Sequence, residues 1–177
     1  MDLGAVGSGA NAPDKVNVVV EISQNSCPVK YELSDRGVLF VDRFLPTAMH
    51  YPCNYGFIPK TVAGDGDPVD VLVLTRFPVV PCAVIKSRPV GVLMMHDEKG
   101  EDVKVLAVPS PDVDLYYEKV ENYVDLPSSF LDSIMHFFSF YKKLEKEKFV
   151  SVGEWRDASF AKELIRSAIS AVEDTQR

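Results

Sequence analysis

Along the chain, apolar residues first recur in short β-branched runs that favour strands over helices. "VNVVVEI" from Val16, "VKYEL" from Val29 and "VLFVDRF" from Val38 each read as a strand. The "SDRG" turn between the last two makes them a hairpin, with Gly37 available for a positive φ. Proline and glycine punctuate "YPCNYGFIPKTVAGDGDP", which predicts a loop around one short strand. "VDVLVL", "CAVIKSRPVGVLMMHD" and "DVKVLAVP" follow, the last two joined across "EKGE" as a second hairpin. The spacing then becomes helical. Phe130, Ile134, Phe137, Phe138, Tyr141 and Leu144 repeat behind the start signals Asp125 to Ser128. A second helix follows an Asp157 N-cap and carries Phe160, Leu164, Ile165 and Ala168 on one side. Short strands followed by helices predict a small β-barrel with helices packed against it, an α+β fold.

At 177 residues, 46% hydrophobic and 25% charged, the chain fits a single domain over residues 1–177. Its first fifteen residues are rich in Gly, Ala and Ser and predict a loose arm. No apolar run is long enough to span a bilayer, and the N-terminal stretch carries neither a basic leader nor a hydrophobic segment, so a cytoplasmic protein is expected. Cys27, Cys53 and Cys82 lack metal-ligand spacing and read as reduced thiols. The net charge of −7 disfavours nucleic acid and anionic membrane as partners. An anionic substrate would need local lysines and arginines, or bound cations, to draw it in.

"GDGDPVDVLVL" places Asp65, Asp67 and Asp70 immediately before a run of β-formers. An EF-hand loop fails here, because Asp70 stands where glycine is needed and Arg76 where a bidentate glutamate is needed. A solvated acidic turn is the plain alternative, so the other charged segments decide. In "DEKGED" a four-residue loop would set Asp97 opposite Asp102, about 5 Å apart and close enough to share a cation, with Lys104 on the same face. Pairing Leu33 with Val38 would bring Lys30, Glu32 and Arg43 to one face of the first hairpin. Clustered carboxylates with neither His nor Cys suit Mg²⁺, or Mn²⁺ in its place, and lysines beside them suit phosphoryl chemistry. Tyr51 and Tyr55 offer phenolic donors; His50, His96 and His136 are not spaced as ligand pairs, and Trp155 reads as packing.

From about Val16 to Trp155 the chain resembles the first family of soluble inorganic pyrophosphatases, and its bacterial members most. "DGDPVDV" matches that family's Asp-x-Asp-Pro-x-Asp signature. "VVVEI", "KYEL", "LFVDRF", "YPCNYGFIP", "KSRPVGVL", "DEKGEDVKVLAVP" and "FFSFYKKLE" follow its order and spacing. The resemblance implies a five-stranded OB-like barrel with flanking C-terminal helices and hydrolysis of pyrophosphate to two orthophosphates. It implies Asp65, Asp70, Asp97 and Asp102 as ligands of several Mg²⁺ ions. Asp67 falls where the family accepts a proton from the attacking water; Lys30, Arg43, Tyr55, Tyr141 and Lys142 fall at phosphate contacts. Glu21, Glu32 and Lys104 match further positions lining the pocket. The "SDRG" turn is one residue shorter than in familiar bacterial members, and Phe140 stands where some members have a second histidine one turn after His136. Bacterial relatives are commonly hexamers, so a homohexamer is expected.

The expected mechanism is in-line attack on one phosphorus by a metal-bound hydroxide, Asp67 acting as the base. Two alternatives compete with it. One is a phosphohydrolase of nucleotides or phosphate esters, although the chain has no Walker loop. The other is a noncatalytic OB module for single-stranded nucleic acid, which would need a basic, aromatic groove.

Overall fold

The computed structural model describes residues 5–34 and 36–175. Residues 1–4 of the expected arm, and Asp35 of the "SDRG" turn, lie outside the described residues. Among the described residues, nine strands and two longer helices form in the order β1 (Val16–Ile22), β2 (Val29–Leu33), β3 (Leu39–Phe44), β4 (Asn54–Phe57), β5 (Asp70–Val73), β6 (Val84–Asp97), β7 (Gly100–Glu101), β8 (Lys104–Pro109), α1 (Ser128–Phe140), β9 (Val150–Asp157) and α2 (Ala158–Thr175).

Five of these strands close on themselves. Hydrogen bonding runs β1-β4-β5-β8-β6, and β6 returns to β1 through pairs such as Val18 with Ile85. The ring is the OB-like barrel that the resemblance implies. Strands β5 and β8 run parallel, while the other neighbours in the ring are antiparallel. Closure leaves β5 and β8 covered on both faces, which is why they read as unbroken apolar runs. Val71, Val73, Val105 and Ala107 pack with Ala161, Ile165 and Ala168 of α2. The alternate residues Leu72, Leu106 and Val108 pack with Leu131, Ile134, Phe137 and Phe138 of α1. Each fully buried Val, Leu, Ile or Phe side chain among them contributes about 1.5–3 kcal/mol by leaving water, and each alanine less.

Strand β6 is long because it serves β1, β8 and β9 at once. Pro89 cannot donate to a ladder, and the register breaks between Pro89 and Gly91. The second break, between Leu93 and Met95, lies against β9. The hydrophobic pattern predicts no strand over β9. "VSVGEWRD" is half exposed, interrupted by Gly153 and charged, so its local β signal is weak and its pairing with β6 holds it.

Helix α2 begins as expected, with the Phe160 N–H donating to Asp157 Oδ1 at 2.9 Å. Helix α1 stops earlier than its stripe predicts. After Phe140 the chain tightens into turns, Lys143 N–H to Phe140 O and Glu145 N–H to Lys142 O, which leaves Leu144 73% exposed. The arm is not loose over residues 5–15. Asn11 and Lys15 bridge, Asn17 N–H bonds Ser8 O at 2.8 Å, and Lys15 and Lys162 pair with Asp112 and Asp14.

Gly56 sits where β4 crosses β1, and an added Cβ would lie 1.9 Å from the Val19 carbonyl oxygen. Since backbone cannot yield as a side chain does, Gly56→Ala should destabilise the fold by about 3 kcal/mol or more. A urea midpoint within error of wild type would refute this close approach.

Candidate active site

The loop from β4 to β5 is built to present carboxylates. At its base the Thr61 hydroxyl, 3% exposed, donates to Ile58 O at 2.6 Å and accepts the Val69 N–H at 3.0 Å. Nearer the tip, Ala63 N–H bonds Asp67 O, Gly66 N–H bonds Ala63 O, and Asp67 N–H bonds Asp65 Oδ1. Gly66 takes φ +90°, a left-handed value that favours glycine. Asp65 and Asp67 therefore stand on an exposed turn, while Asp70 opens β5 opposite Phe57.

Two expected registers need correction. Asp97 faces Gly100 and not Asp102, because the hairpin turns on two residues, Glu98 and Lys99, and not four. Gly100 at φ +124° accommodates this tight turn. Asp102 instead anchors its N–H to Met95 O at 2.9 Å. In the first hairpin Leu33 pairs with Leu39 and not Val38. That slip alone would put Lys30 and Arg43 on opposite faces, but an irregularity between Lys30 and Tyr31 sets Lys30 opposite Arg43. The expected trio shares a face by a different route.

All the site residues expected from sequence line one open cleft. On one side lie Glu21, Lys30, Glu32, Tyr55, Asp67 and Asp70. The cleft continues over Arg43, Asp65, Asp97, Asp102, Lys104, Tyr141 and Lys142. Asp42, Glu98, Lys99 and Lys148 line it too. Hairpin alternation hides Asp42, whose place is set by the shifted register, and only the two-residue turn puts Glu98 and Lys99 at the rim.

Opposite charges meet throughout. Lys104, 3% exposed, bonds Asp70 at 2.5 Å and also Asp102. Burial alone would lower its pKa, but the two carboxylates outweigh burial and hold the ammonium charged. Asp102 is nonetheless raised, since its own burial exceeds the help Lys104 gives. Burial opposes the Asp97 carboxylate as well, yet Lys142 at 2.8 Å and the Lys99 N–H hold its pKa below the usual range. Lys30 reaches Glu32 at 2.6 Å and Asp42 at 3.3 Å, and Arg43 reaches Asp42 at 2.5 Å and Glu145 at 2.8 Å. Burial raises the Tyr55 and Tyr141 phenols, so both stay protonated donors.

Among the described residues no three His, Cys, Asp or Glu side chains stand close enough to hold one metal ion. Asp70, Asp97 and Asp102 point instead at lysines. The donor set is all oxygen, which fits Mg²⁺ or Mn²⁺ and not a structural zinc.

A profile of inorganic pyrophosphatase matches residues 18–173. The chain belongs to the inorganic pyrophosphatase family. It is 51% identical over 170 residues to the inorganic pyrophosphatase of Agrobacterium fabrum, covering 96% of each chain. A crystal structure described as an inorganic phosphatase from Anaplasma phagocytophilum shares 74% identity at a TM-score of 0.94, covering 95% of this chain and 99% of that one. The inorganic pyrophosphatase of Ehrlichia chaffeensis shares 59% at a TM-score of 0.84, covering 93% and 99%. Among the described residues of this family member, no helix is long and apolar enough to cross a membrane.

Glu21 sits at the inner end of the pyrophosphatase cleft, accepting the Leu33 N–H at 2.7 Å. Burial, aided by the nearby Asp70 charge, pushes its carboxyl from 4.5 up to about 7. The folded protein keeps this proton where the unfolded chain has lost it. Stability therefore falls as pH rises from about 4.5 to about 7, and the penalty is complete above that. Glu21→Gln keeps the acceptor and removes the charge. In EDTA it should match wild type in acid and exceed it above neutrality by up to about 3 kcal/mol. Parallel melting curves across this range would contradict the assignment.

Proposed function

We propose that this chain hydrolyses inorganic pyrophosphate to two orthophosphates with Mg²⁺ as its cofactor and Mn²⁺ able to substitute. The observation that carries this reading is the convergence of Asp65, Asp67, Asp70, Asp97 and Asp102 with Lys30, Arg43 and Lys142 in one cleft. Family membership supports it, and the curated relatives carry the name inorganic pyrophosphatase.

In this reading Asp65, Asp70, Asp97 and Asp102 would hold the metal, each through its carboxylate oxygens. Bound Mg²⁺ would neutralise phosphate oxygens and acidify water. Asp67, exposed at the loop tip, accepts the proton of the water that attacks one phosphorus in line. Lys30 and Arg43 from the hairpin, Lys142 from the turn after α1, and the Tyr55 and Tyr141 phenols donate to the phosphate oxygens, most strongly as charge moves to the departing phosphate. Glu21 and Glu32 set the polarity around Lys30, and Lys104 holds Asp70 and Asp102 in place.

The same reading treats residues 1–177 as one domain acting in the cytoplasm, with Cys27, Cys53 and Cys82 as free thiols. It also takes a homohexamer as the working form. Apolar side chains such as Phe44 and Phe77, 75% and 67% exposed, are suited to subunit contacts. The Phe140 ring lies tilted against that of His136, with centroids 4.8 Å apart, so at position 140 a contact through this helix face would be apolar where some members have a histidine.

Asp67→Asn should lower phosphate release from Mg-pyrophosphate by about 100-fold or more without changing the far-ultraviolet spectrum. Near wild-type release would remove Asp67 from the role of base. Mg²⁺ at millimolar level should raise the melting temperature, because ions that bind only the folded cleft stabilise it; an unchanged melt would count against metal binding there. Release from pyrophosphate well above that from ATP or phosphomonoesters is the expected substrate profile, and the reverse order would favour a general phosphohydrolase.

A further inference from the structure

Among the described residues, the cationic side chains lining the cleft are Lys30, Arg43, Lys99, Lys104, Lys142 and Lys148. Each except Lys99 has a carboxylate oxygen within 3.3 Å. These partners are also partly or wholly shielded, Lys104 and Lys142 most of all. Lys99 differs on both counts. Its Nζ is 3.5 Å from Asp67 Oδ2, and both side chains are 65% exposed. Its backbone, by contrast, is held: the Lys99 N–H donates to Asp97 Oδ1 at 2.8 Å, at the tip of the two-residue turn.

A held backbone with a loosely paired ammonium is well suited to capture. Lys99 lines the cleft both where it borders Glu21 and where it borders Asp97 and Asp102, so the turn carries its charge over Asp67. An exposed pair at this separation contributes little and costs little to break. A diphosphate offers several oxyanion acceptors in place of one carboxylate oxygen, so exchange of partners is favourable. We propose that Lys99 is a substrate-contacting residue, which leaves Asp67 to bind a terminal phosphate oxygen of the incoming pyrophosphate. Its departure uncovers Asp67 Oδ2 as substrate seats, and in the free protein its charge offsets the exposed carboxylate of Asp67 that would repel an incoming anion. This inference rests on the pyrophosphatase reading of the cleft.

The test uses the full chain with Mg²⁺ and Lys99→Ala, Lys99→Arg and Lys99→Glu variants. Two quantities are read: the dissociation constant of imidodiphosphate by calorimetry, and KM and kcat for phosphate release from pyrophosphate. Lys99→Ala should raise the dissociation constant and KM about three- to tenfold, with most of the loss in KM. Lys99→Glu should exceed this, Lys99→Arg should restore it, and the salt dependence of kcat/KM should become shallower in Lys99→Ala. Unchanged binding and KM in both Lys99→Ala and Lys99→Glu would overturn the proposal and make Lys99 a solvated turn lysine. If imidodiphosphate binding depends on Lys99 while the wild-type chain releases no phosphate, the contact stands and the hydrolytic reading falls. Hydrolysis by wild type with no effect of Lys99 on binding has the opposite meaning.

Discussion

Lys104 is an ammonium almost without solvent, held between Asp70 and Asp102, and both the barrel and its cleft are organised around it. Val71 pairs with Val105 along the parallel seam, so Asp70 and Lys104 are the residues that open the two strands of that seam. The ion pair thus ties the start of β5 to the start of β8, at the rim where the cleft lies. Tyr55 covers it from β4, its ring centroid 5.7 Å from Nζ. Losing Lys104 should cost about 3–5 kcal/mol, because Asp70 and Asp102 would be left facing each other without their shared cation. The same geometry holds Asp70 and Asp102 close together despite their like charge, a condition that clustered carboxylates cannot meet alone.

Self-neutralisation extends through the rest of the cleft. Asp97 with Lys142, Glu32 with Lys30, and Glu145 with Arg43 and Lys148 give nearly every charge a partner of opposite sign. Without this, acidic and basic clusters would each repel themselves at the end of a barrel with no metal or anion present. The arrangement also defines what binding must do. A cation and an anion arriving together exchange partners with the internal pairs, carboxylates turning to the cation and lysines to the anion. Such an exchange keeps the cleft's charge balance at each stage, whereas entry of either ion alone leaves the opposite set unpaired.

Of the strands that close the barrel, β1, β5 and β8 are legible as short β-branched runs between turn residues, while β4, with no β-branched residue, is legible only as the short strand inside a loop punctuated by proline and glycine. The site residues are legible by type and by motif. Their registers are not, since a one-residue slip at Leu33 or a two-residue turn at Glu98 and Lys99 depends on pairing energies that the hydrophobic pattern does not encode. Strand β9 escapes for a related reason. Val150, Val152 and Trp155 alternate only weakly among charged neighbours, and Gly91 on β6 has to lack a Cβ so that Arg156 O and Tyr123 can approach. The early end of α1 likewise follows from long-range pairs: turning after Phe140 lets Lys142 reach Asp97 and Glu145 reach Arg43.

A loop that must hold carboxylates ready for a cation faces opposing demands, rigidity in placing them and freedom in aiming them. Here the two are separated along the loop. Its base is fixed by the buried Thr61 hydroxyl and by the Val62 N–H bonded to Ala168 O of α2 at 3.0 Å, so the helix packed on the barrel also clamps the acidic segment. Its tip, at Asp65 and Asp67, is exposed and reaches the opposite hairpin through the long Lys99 contact. Hydrophobic packing of α2 is thereby coupled to where the carboxylates stand, while the last few ångströms of their aim are left to the ions that enter.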